Sequence, residues 1–354
     1  MKKKFIYFVQ YHPTLFLLEK ESHYHFMPCR AMQELWYEVE IVSYWKELKI
    51  EDDPNFDPRF KVTYVEWIFQ ALVYMWKNSK NAIVYVNTFI IPSLLMWLVT
   101  KKSIFFWHES VFATEYSSHY KIKRFIVKLF YPFFTKIRVI NEHDKKWLER
   151  EWFKNKWIVV PLVVSKKNLV EEISPKNDIL MLWHIFSKKW PETMLKALQI
   201  VLKKYPNIKI HQVWKIDEFI SSRWMTFKEE LNDLWIFDNF ILYWPKNNLK
   251  SLNLPTSIYI NSSLQEWQCL AVYDAILLWN AVCLPNISSF RWEVLNGKTL
   301  LHKVGDYKKL ADNIIWYIEH TEEKEEYINK WRKYIDEKLN YDFLKKQMQK
   351  NFVI

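Results

Sequence analysis

Short apolar runs alternate with amphipathic stretches along most of the chain. The runs are rich in branched and aromatic residues, which predicts buried strands, and the stretches between them repeat apolar residues at helical spacing. This alternation is typical of β-α units on a largely parallel sheet. In the first half it predicts strands at 4–9, 39–43, 61–65, 82–86, 103–107, 136–140 and 157–160, with helices such as 26–36 and 121–133.

The pattern stops at 162–177, a stretch with charge, Ser and Pro that we interpret as a linker, and then begins again. The second half predicts strands at 178–182, 207–213, 239–243, 257–261 and 281–284, and helices at 191–204, 308–319 and 323–349. The predicted fold class is α/β, with two Rossmann-like doubly wound domains at 1–165 and 175–330. Residues 331–354 are predicted to form a C-terminal helix that packs on the first domain. Open α/β sheets bind ligands at the carboxyl ends of their strands, so a ligand cleft between the domains is expected.

The composition is unusual in two residue types. The chain has 2 glycines and 20 tryptophans, whereas average usage would give roughly 25 glycines. Trp36, Trp190 and Trp279 also stand where a turn or a helix end favours glycine. Our hypothesis is that most of these tryptophans are encoded by UGA, a codon that the source organism reads as glycine. The alternative is a protein that is truly rich in tryptophan.

The formal net charge of +11 predicts an anionic partner but does not choose among nucleic acid, an acidic membrane surface and a phosphorylated substrate. Cys29, Cys269 and Cys283 have no metal-binding spacing, which favours a reduced compartment and structural thiols. The longest apolar stretch, 83–100, contains Asn, Pro and Ser, so we predict no transmembrane span.

The segment 262–282 carries the most informative chemistry. It predicts a strand end, a loop and a helix that begins near Cys269, and a helix N-terminus offers free N–H groups and a positive dipole end to a diphosphate. Leu270 and Ala271 are placed to donate such N–H groups. Glu266 on the loop can face a sugar, and Asp274 can accept from ribose hydroxyls. Spacing alone leaves open an N-cap acid with a solvated helical Asp.

This segment resembles the pattern of glycosyltransferase family 4, Glu-x7-Glu followed by Ala-x-x-x-Gly-x-Pro. Glu266 matches the first acid, and Asp274 stands in place of the second. Upstream, residues 178–193 are similar to the strand, Gly-Arg loop and Lys-Gly turn of that family. Lys189 matches its diphosphate-binding lysine, and His184 stands where many members carry an arginine.

In the first half, His108 follows a predicted strand, at a position where members of the family commonly have a His near the transferred sugar. A lone histidine is also common in a purely structural role. The first strand-helix loop, from Tyr11 onward, lacks the Gly-Gly turn that many relatives place near phosphate groups. The resemblance therefore does not extend to the phosphate contacts on the acceptor side.

The resemblance implies a retaining GT-B enzyme of the hexosyltransferase type. Its donor would be a nucleoside-diphosphate sugar, its acceptor a glycan or lipid-linked hydroxyl, and it would hold no bound metal or other cofactor. It implies a cytoplasmic protein of polysaccharide synthesis, and the basic, aromatic stretch 121–131 adds a peripheral contact with an anionic membrane as one interpretation. Two alternatives remain: a sugar-nucleotide epimerase on the same fold, and a basic nucleic-acid-binding protein. The charge is dispersed, so no nucleic-acid partner is expected.

Overall fold

The chain forms two β-sheets, each built of parallel strands and each accompanied by helices. The computed structural model describes residues 3–9, 19–43, 49–53, 56–87, 90–101, 103–106, 125, 129–140, 145–146, 149, 154–171, 176–182, 191–213, 227–243, 249–264, 270–287, 290 and 299–352. Unit 1 contains the described residues up to 106, those from 125 to 163 and those from 337 onward, and unit 2 contains 164–336.

The sheet of unit 1 has the strand order β3-β2-β1-β4-β5-β6-β7, and every neighbouring pair is parallel. Its strands are β1 Lys4–Val9, β2 Glu38–Ser43, β3 Lys61–Tyr64, β4 Ala82–Asn87, β5 Ser103–Phe106, β6 Lys136–Val139 and β7 Trp157–Val159. β1 lies inside the sheet, between β2 and β4, and all its residues after Lys4 are buried. A continuous apolar run, rather than an alternating one, is what a strand covered on both faces requires.

The sheet of unit 2 has the order β10-β9-β8-β11-β12-β13, again with parallel pairs. Its strands are β8 Asp178–Met181, β9 Ile210–Val213, β10 Phe240–Tyr243, β11 Thr256–Ile260, β12 Ala281–Pro285 and β13 Leu300–His302. Counted within each sheet, the first six strands of both units follow the order 3-2-1-4-5-6, which is the doubly wound Rossmann arrangement.

The described helices are α1 Glu19–Glu34, α2 Ile68–Asn78, α3 Ile90–Thr100, α4 Pro191–Lys204, α5 Phe227–Asp233, α6 Leu270–Leu277, α7 Tyr307–Glu319, α8 Thr321–Lys338 and α9 Tyr341–Phe352. α4 illustrates how the sequence sets such limits. It begins with Pro191 and ends in two lysines, which suit the first turn and the negative dipole end of a helix.

The last helix, α9, packs within unit 1. Leu344, Met348 and Phe352 recur every four residues, are buried, and join the same apolar cluster as Phe26 of α1. At the rim of this contact, Tyr341 Oη and Lys345 Nζ donate to Glu34, at 2.9 and 2.6 Å. The end of the chain therefore completes the core beside the first helix.

Unit 1 also buries the carboxylate of Glu40 on β2. Lys4 lies 2.5 Å and Lys61 3.1 Å from its oxygens, and Thr63 and Tyr74 donate hydrogen bonds to it. Burial raises the pKa of this carboxyl, but these four donors outweigh burial and lower the pKa to about 2. Glu40 is thus an ionised, fully engaged structural group.

Three tryptophans follow helix ends in the left-handed backbone region: Trp36 after α1, Trp235 after α5 and Trp279 after α6, with φ of 68°, 58° and 60°. In each case the tryptophan N–H and the next N–H donate back to helix carbonyls in the pairing of a Schellman motif. Trp36 and Trp235 are 83% and 92% exposed. These are positions where glycine is usual, because a Cβ is strained there.

Two helix boundaries predicted from the sequence are corrected, and one strand was missed. The helix predicted at 26–36 begins at Glu19, because its first residues are polar and show no apolar repeat. The helix predicted at 323–349 is two helices, since Asn340 accepts from the Phe343 N–H at 2.7 Å and caps a new one. Strand β13 was missed because three residues are too few for a recognisable pattern.

Candidate functional site

The strand order of unit 2 changes direction between β8 and β11. These strands are parallel neighbours, with Ile179 opposite Ile258 and Leu180 opposite Tyr259. From β8 the chain winds outward to β9 and β10, and it then returns to β11 on the other side. Chain connections diverge at such a switch point and leave a crevice at the carboxyl ends of the strands, which is where open α/β sheets bind ligands. The strand order thus indicates the carboxyl ends of β8 and β11 as the candidate ligand site.

The segments that carry most of the predicted site residues follow these two strands. Residues 183–190, with His184 and Lys189, come after β8, and residues 265–269, with Glu266 and Cys269, come after β11. All four residues lie outside the described part of the chain, and so does His108, which follows β5. Their roles stay predictions, but the strands that precede the two segments in unit 2 are adjacent.

Helix α6 begins just after the β11 segment. Its first two residues, Leu270 and Ala271, are half-buried, and Val272–Leu277 are buried. The first N–H groups of a helix have no partner within the helix and lie at its positive end, so this terminus can bind an anion. Two hydrogen bonds fix the strand end before it: Asn261 N donates to Cys283 O at 3.0 Å, and Ser263 N donates to the side-chain Oδ1 of Asn261 at 2.8 Å.

Asp274 lies in the middle of α6 and is only 6% exposed. Its Oδ1 accepts a hydrogen bond of 2.8 Å from Nδ2 of Asn168. The alternative of a solvated helical aspartate is therefore wrong. A buried carboxylate needs donors, and Asn168 supplies one of them.

Sequence reasoning missed Asn168. This residue belongs to a short 3-10 turn, Lys166–Asn168, within the stretch interpreted as a linker, and it is wholly buried in unit 2. Nothing in the local pattern marks it, because Ser, Lys and Asn around it are typical of an exposed connection. Its partner Asp274 is 106 residues away along the chain.

The described ranges were also searched for metal ligands, reactive thiols and membrane-spanning helices. They hold no group of three or more His, Cys, Asp and Glu side chains that could bind a metal ion. Cys29 and Cys283 are buried, and burial raises the pKa of both thiols, which keeps them protonated. None of the helices in this part of the chain is both long and apolar enough to cross a bilayer.

Two Rossmann-like units in one chain, followed by C-terminal helices, define the GT-B fold. Comparison with solved structures supports this class. A variant of TarM from S. aureus, in complex with fondaparinux, alpha-GlcNAc-glycerol and UDP, superposes with a TM-score of 0.73 and 10% identity, over 99% of this chain and 100% of that one.

Two further structures are similar over nearly the full length of both chains. A glycosyltransferase from Rickettsia africae has a TM-score of 0.73 and 14% identity, over 99% of this chain and 98% of that one. HepE of Anabaena in complex with UDP-glucose has a TM-score of 0.71 and 11% identity, over 98% of each chain. No protein-family model and no curated protein sequence matches the chain.

Proposed function

We propose that this protein is a retaining glycosyltransferase of the family 4 type. It transfers a hexose from a nucleoside-diphosphate sugar to a hydroxyl of a glycan or a lipid-linked acceptor. The observation that carries the proposal is the GT-B match over the full length of both chains, since solved structures with this fold hold UDP, UDP-glucose and glycan-like molecules. The motif residues of unit 2 add support, because their segments follow the two strands at the switch point.

In the proposed reaction, the bond between the anomeric carbon and the diphosphate oxygen breaks as the acceptor oxygen bonds to that carbon and passes its proton to the departing diphosphate oxygen. The leaving diphosphate gathers negative charge. Lys189, His184 and the α6 terminus at Cys269, Leu270 and Ala271 would stabilise this charge.

The other motif residues bind the two ends of the donor in this proposal. Glu266 would orient the donor sugar, Asp274 would bind the ribose, and His108 would lie near the transferred sugar. No step requires a bound metal or another cofactor, because the positive groups of the protein supply the charge stabilisation.

We further propose a cytoplasmic role in the synthesis of envelope polysaccharide, with contact to the inner membrane face. An apolar strip in unit 1 supports the membrane contact: Phe125, Leu129 and Phe133 are spaced by four residues and are 66%, 52% and 43% exposed. In the sequence, Arg124 precedes Phe125 and Lys128 precedes Leu129. A surface that combines apolar and basic groups suits an anionic bilayer.

The test is a donor screen. The protein is incubated with UDP-, GDP- and ADP-sugars, and thermal stabilisation and released nucleoside diphosphate are measured. We expect one nucleotide class to stabilise the protein, and Lys189→Ala to abolish this effect. Lys203→Ala removes an exposed lysine at the end of α4 and serves as the matched control.

Each other outcome has a defined meaning. Binding with conversion of the donor sugar to its epimer, and without release of diphosphate, would indicate an epimerase. Salt-dependent binding of random DNA, without any response to nucleotide sugars, would indicate a nucleic-acid-binding protein. A folded protein that responds to none of these ligands would contradict the transferase proposal.

We also propose that most tryptophans of this chain are glycines in the natural protein, encoded by UGA. The three Schellman positions at Trp36, Trp235 and Trp279 support this, because a bulky residue with positive φ is rare and here recurs at equivalent helix ends. Mass spectrometry of the protein from its source organism tests it, since each glycine lowers the mass by a fixed amount. A mass equal to that of the printed sequence would refute the idea.

A further inference from the structure

The segment Lys166–Val170 lies along helix α6 and contacts it at two points. Asn168 Nδ2 donates to Asp274 Oδ1 at 2.8 Å, and Val170 N donates to Leu277 O at 2.9 Å. The first contact lies in the middle of the helix and the second at its last residue. Together they restrain both the position of α6 and the side chain of Asp274.

Asn168 has a second hydrogen bond on the other side of its amide. Its Oδ1 accepts from the backbone N–H of Leu249 at 2.9 Å, and the side chain is wholly buried. Leu249 begins the 3-10 turn Leu249–Leu252, which leads into β11. One amide therefore connects the chain before β11 with the helix after it, and β11 is one of the two strands at the switch point.

The Lys166–Val170 segment is itself anchored to α8. Arg332 Nη1 donates to Val170 O at 2.9 Å, and Lys166 Nζ lies 2.6 Å from Asp336 Oδ1. The ion pair is about half exposed on both sides and adds little stability. The partly buried hydrogen bond from Arg332 is the stronger restraint.

We propose that Asn168 is a positioning residue of the nucleotide site, a role that rests on the proposed function. By donating to one carboxylate oxygen, it fixes the rotation of Asp274 in the orientation that binds the ribose hydroxyls. A carboxylate bound to an amide on one oxygen loses its freedom to turn, so less order has to be imposed when the nucleotide binds. Asn168 acts through Asp274 and does not touch the substrate.

The decisive variant is Asn168→Asp. It keeps an acceptor for the Leu249 N–H but replaces the donor toward Asp274 with an oxygen, so that two carboxylates face each other. Asn313→Asp is the matched control, because Asn313 is also buried in unit 2 and donates one hydrogen bond, to Leu301 O at 3.1 Å in another part of the unit. Dissociation constants are measured for UDP, 2′-deoxy-UDP and 3′-deoxy-UDP, with GDP and ADP series if UDP does not bind.

We expect the wild type to prefer UDP over at least one deoxy analogue. Asn168→Asp weakens UDP binding by about tenfold or more, as expected for loss of a charge-assisted hydrogen bond, and reduces this preference. Asn313→Asp leaves the preference unchanged. Because two facing carboxylates retain a proton at low pH, UDP binding by Asn168→Asp recovers between pH 8 and pH 5 relative to the wild type at each pH.

A combined variant separates positioning from plain structural support. Asn168→Asp with Asp274→Asn rebuilds the hydrogen bond with donor and acceptor exchanged, so thermal stability returns, but the carboxylate no longer lies on α6. We expect the preference for the ribose hydroxyl to stay lost. If UDP preference returns together with stability, or if Asn168→Asp keeps the wild-type preference, Asn168 has no positioning role. If the wild type binds no nucleoside diphosphate, the proposed function itself fails and this role with it.

Discussion

Trp235→Gly is the substitution whose effect the structure defines most clearly. Trp235 has a φ of 58°, is 92% exposed and occupies the glycine position of a Schellman motif. Its N–H donates to Asn232 O at 2.9 Å, and the next N–H, of Ile236, donates to Leu231 O at 3.0 Å. Ile236 and Leu231 are both buried, which completes the apolar contact of the motif. The backbone is therefore held in place by groups other than the indole.

The expected magnitude follows from opposing terms. A residue with a Cβ in the left-handed region is destabilised by about 1–2 kcal/mol. Glycine removes this strain but loses more backbone entropy on folding, roughly 0.5–1 kcal/mol. The exposed indole contributes almost no burial. We therefore expect Trp235→Gly to raise the free energy of unfolding by about 1 kcal/mol, which corresponds to about 2–4 °C in the melting temperature of a domain of this size.

Two further variants identify the cause of any gain, with urea unfolding and calorimetry as the assays. Trp235→Ala removes the indole but keeps the Cβ, so it should gain little. Trp76→Gly makes the same substitution on an exposed side chain within α2, where glycine is unfavourable, and should lose about 0.5 kcal/mol. Equal stability of the Gly and Ala variants at 235, or a stabilising Trp76→Gly, would refute the backbone-strain explanation.

The remaining predictions concern buried groups in both units. Burial lowers the pKa of His302 to about 4, so the unfolded chain binds the proton of this imidazole more tightly than the folded one. The free energy of unfolding of unit 2 should therefore fall by about 3 kcal/mol as the pH falls from 6.5 to 4. His302→Leu should abolish this loss in calorimetric scans. Glu40 has a lowered pKa, so its stabilising effect is present above pH 4.5 and is lost as the pH falls toward 2; Glu40→Gln should flatten the acid unfolding curve of unit 1 over that interval. Met348→Ala removes a fully buried side chain of α9 and should destabilise unit 1 by about 2–5 kcal/mol in urea unfolding, whereas exposed Lys350→Ala should have no effect.

Much of the fold could be predicted from the sequence because its information is local. The apolar runs of β1 and β11 and the limits of α4 follow from patterns that extend over only a few residues. Trp36 and Trp279 could be assigned to helix ends for the same reason, since a C-terminal cap depends on a single turn of chain. β13 could not be found, because its strand character depends on pairing with β12 rather than on its own three residues.

In the candidate site too, residues of contiguous motifs could be predicted from the sequence, and a residue that long-range folding brings in could not. Glu266, Lys189 and Asp274 could be proposed because each belongs to a contiguous motif, in which a strand, a loop and a helix follow one another. Asn168, the partner of Asp274, could not be predicted. It is brought to α6 by the fold of the whole unit, and it stands in a stretch whose polarity resembles that of an exposed linker. Its burial is only visible once the hydrogen bonds to Leu249 and Asp274 are seen together.

Under the proposed function, Glu266 and Lys189 are constrained by the ligand, so their substitution should affect binding while the unit stays folded. Asn168 is constrained instead by two protein groups, since loss of its amide leaves a buried N–H and a buried carboxylate without that partner. Substitutions at 168 should therefore lower stability and nucleotide binding together. Only the combined exchange with Asp274 should separate the two, because it restores the hydrogen bond but not the charge on α6.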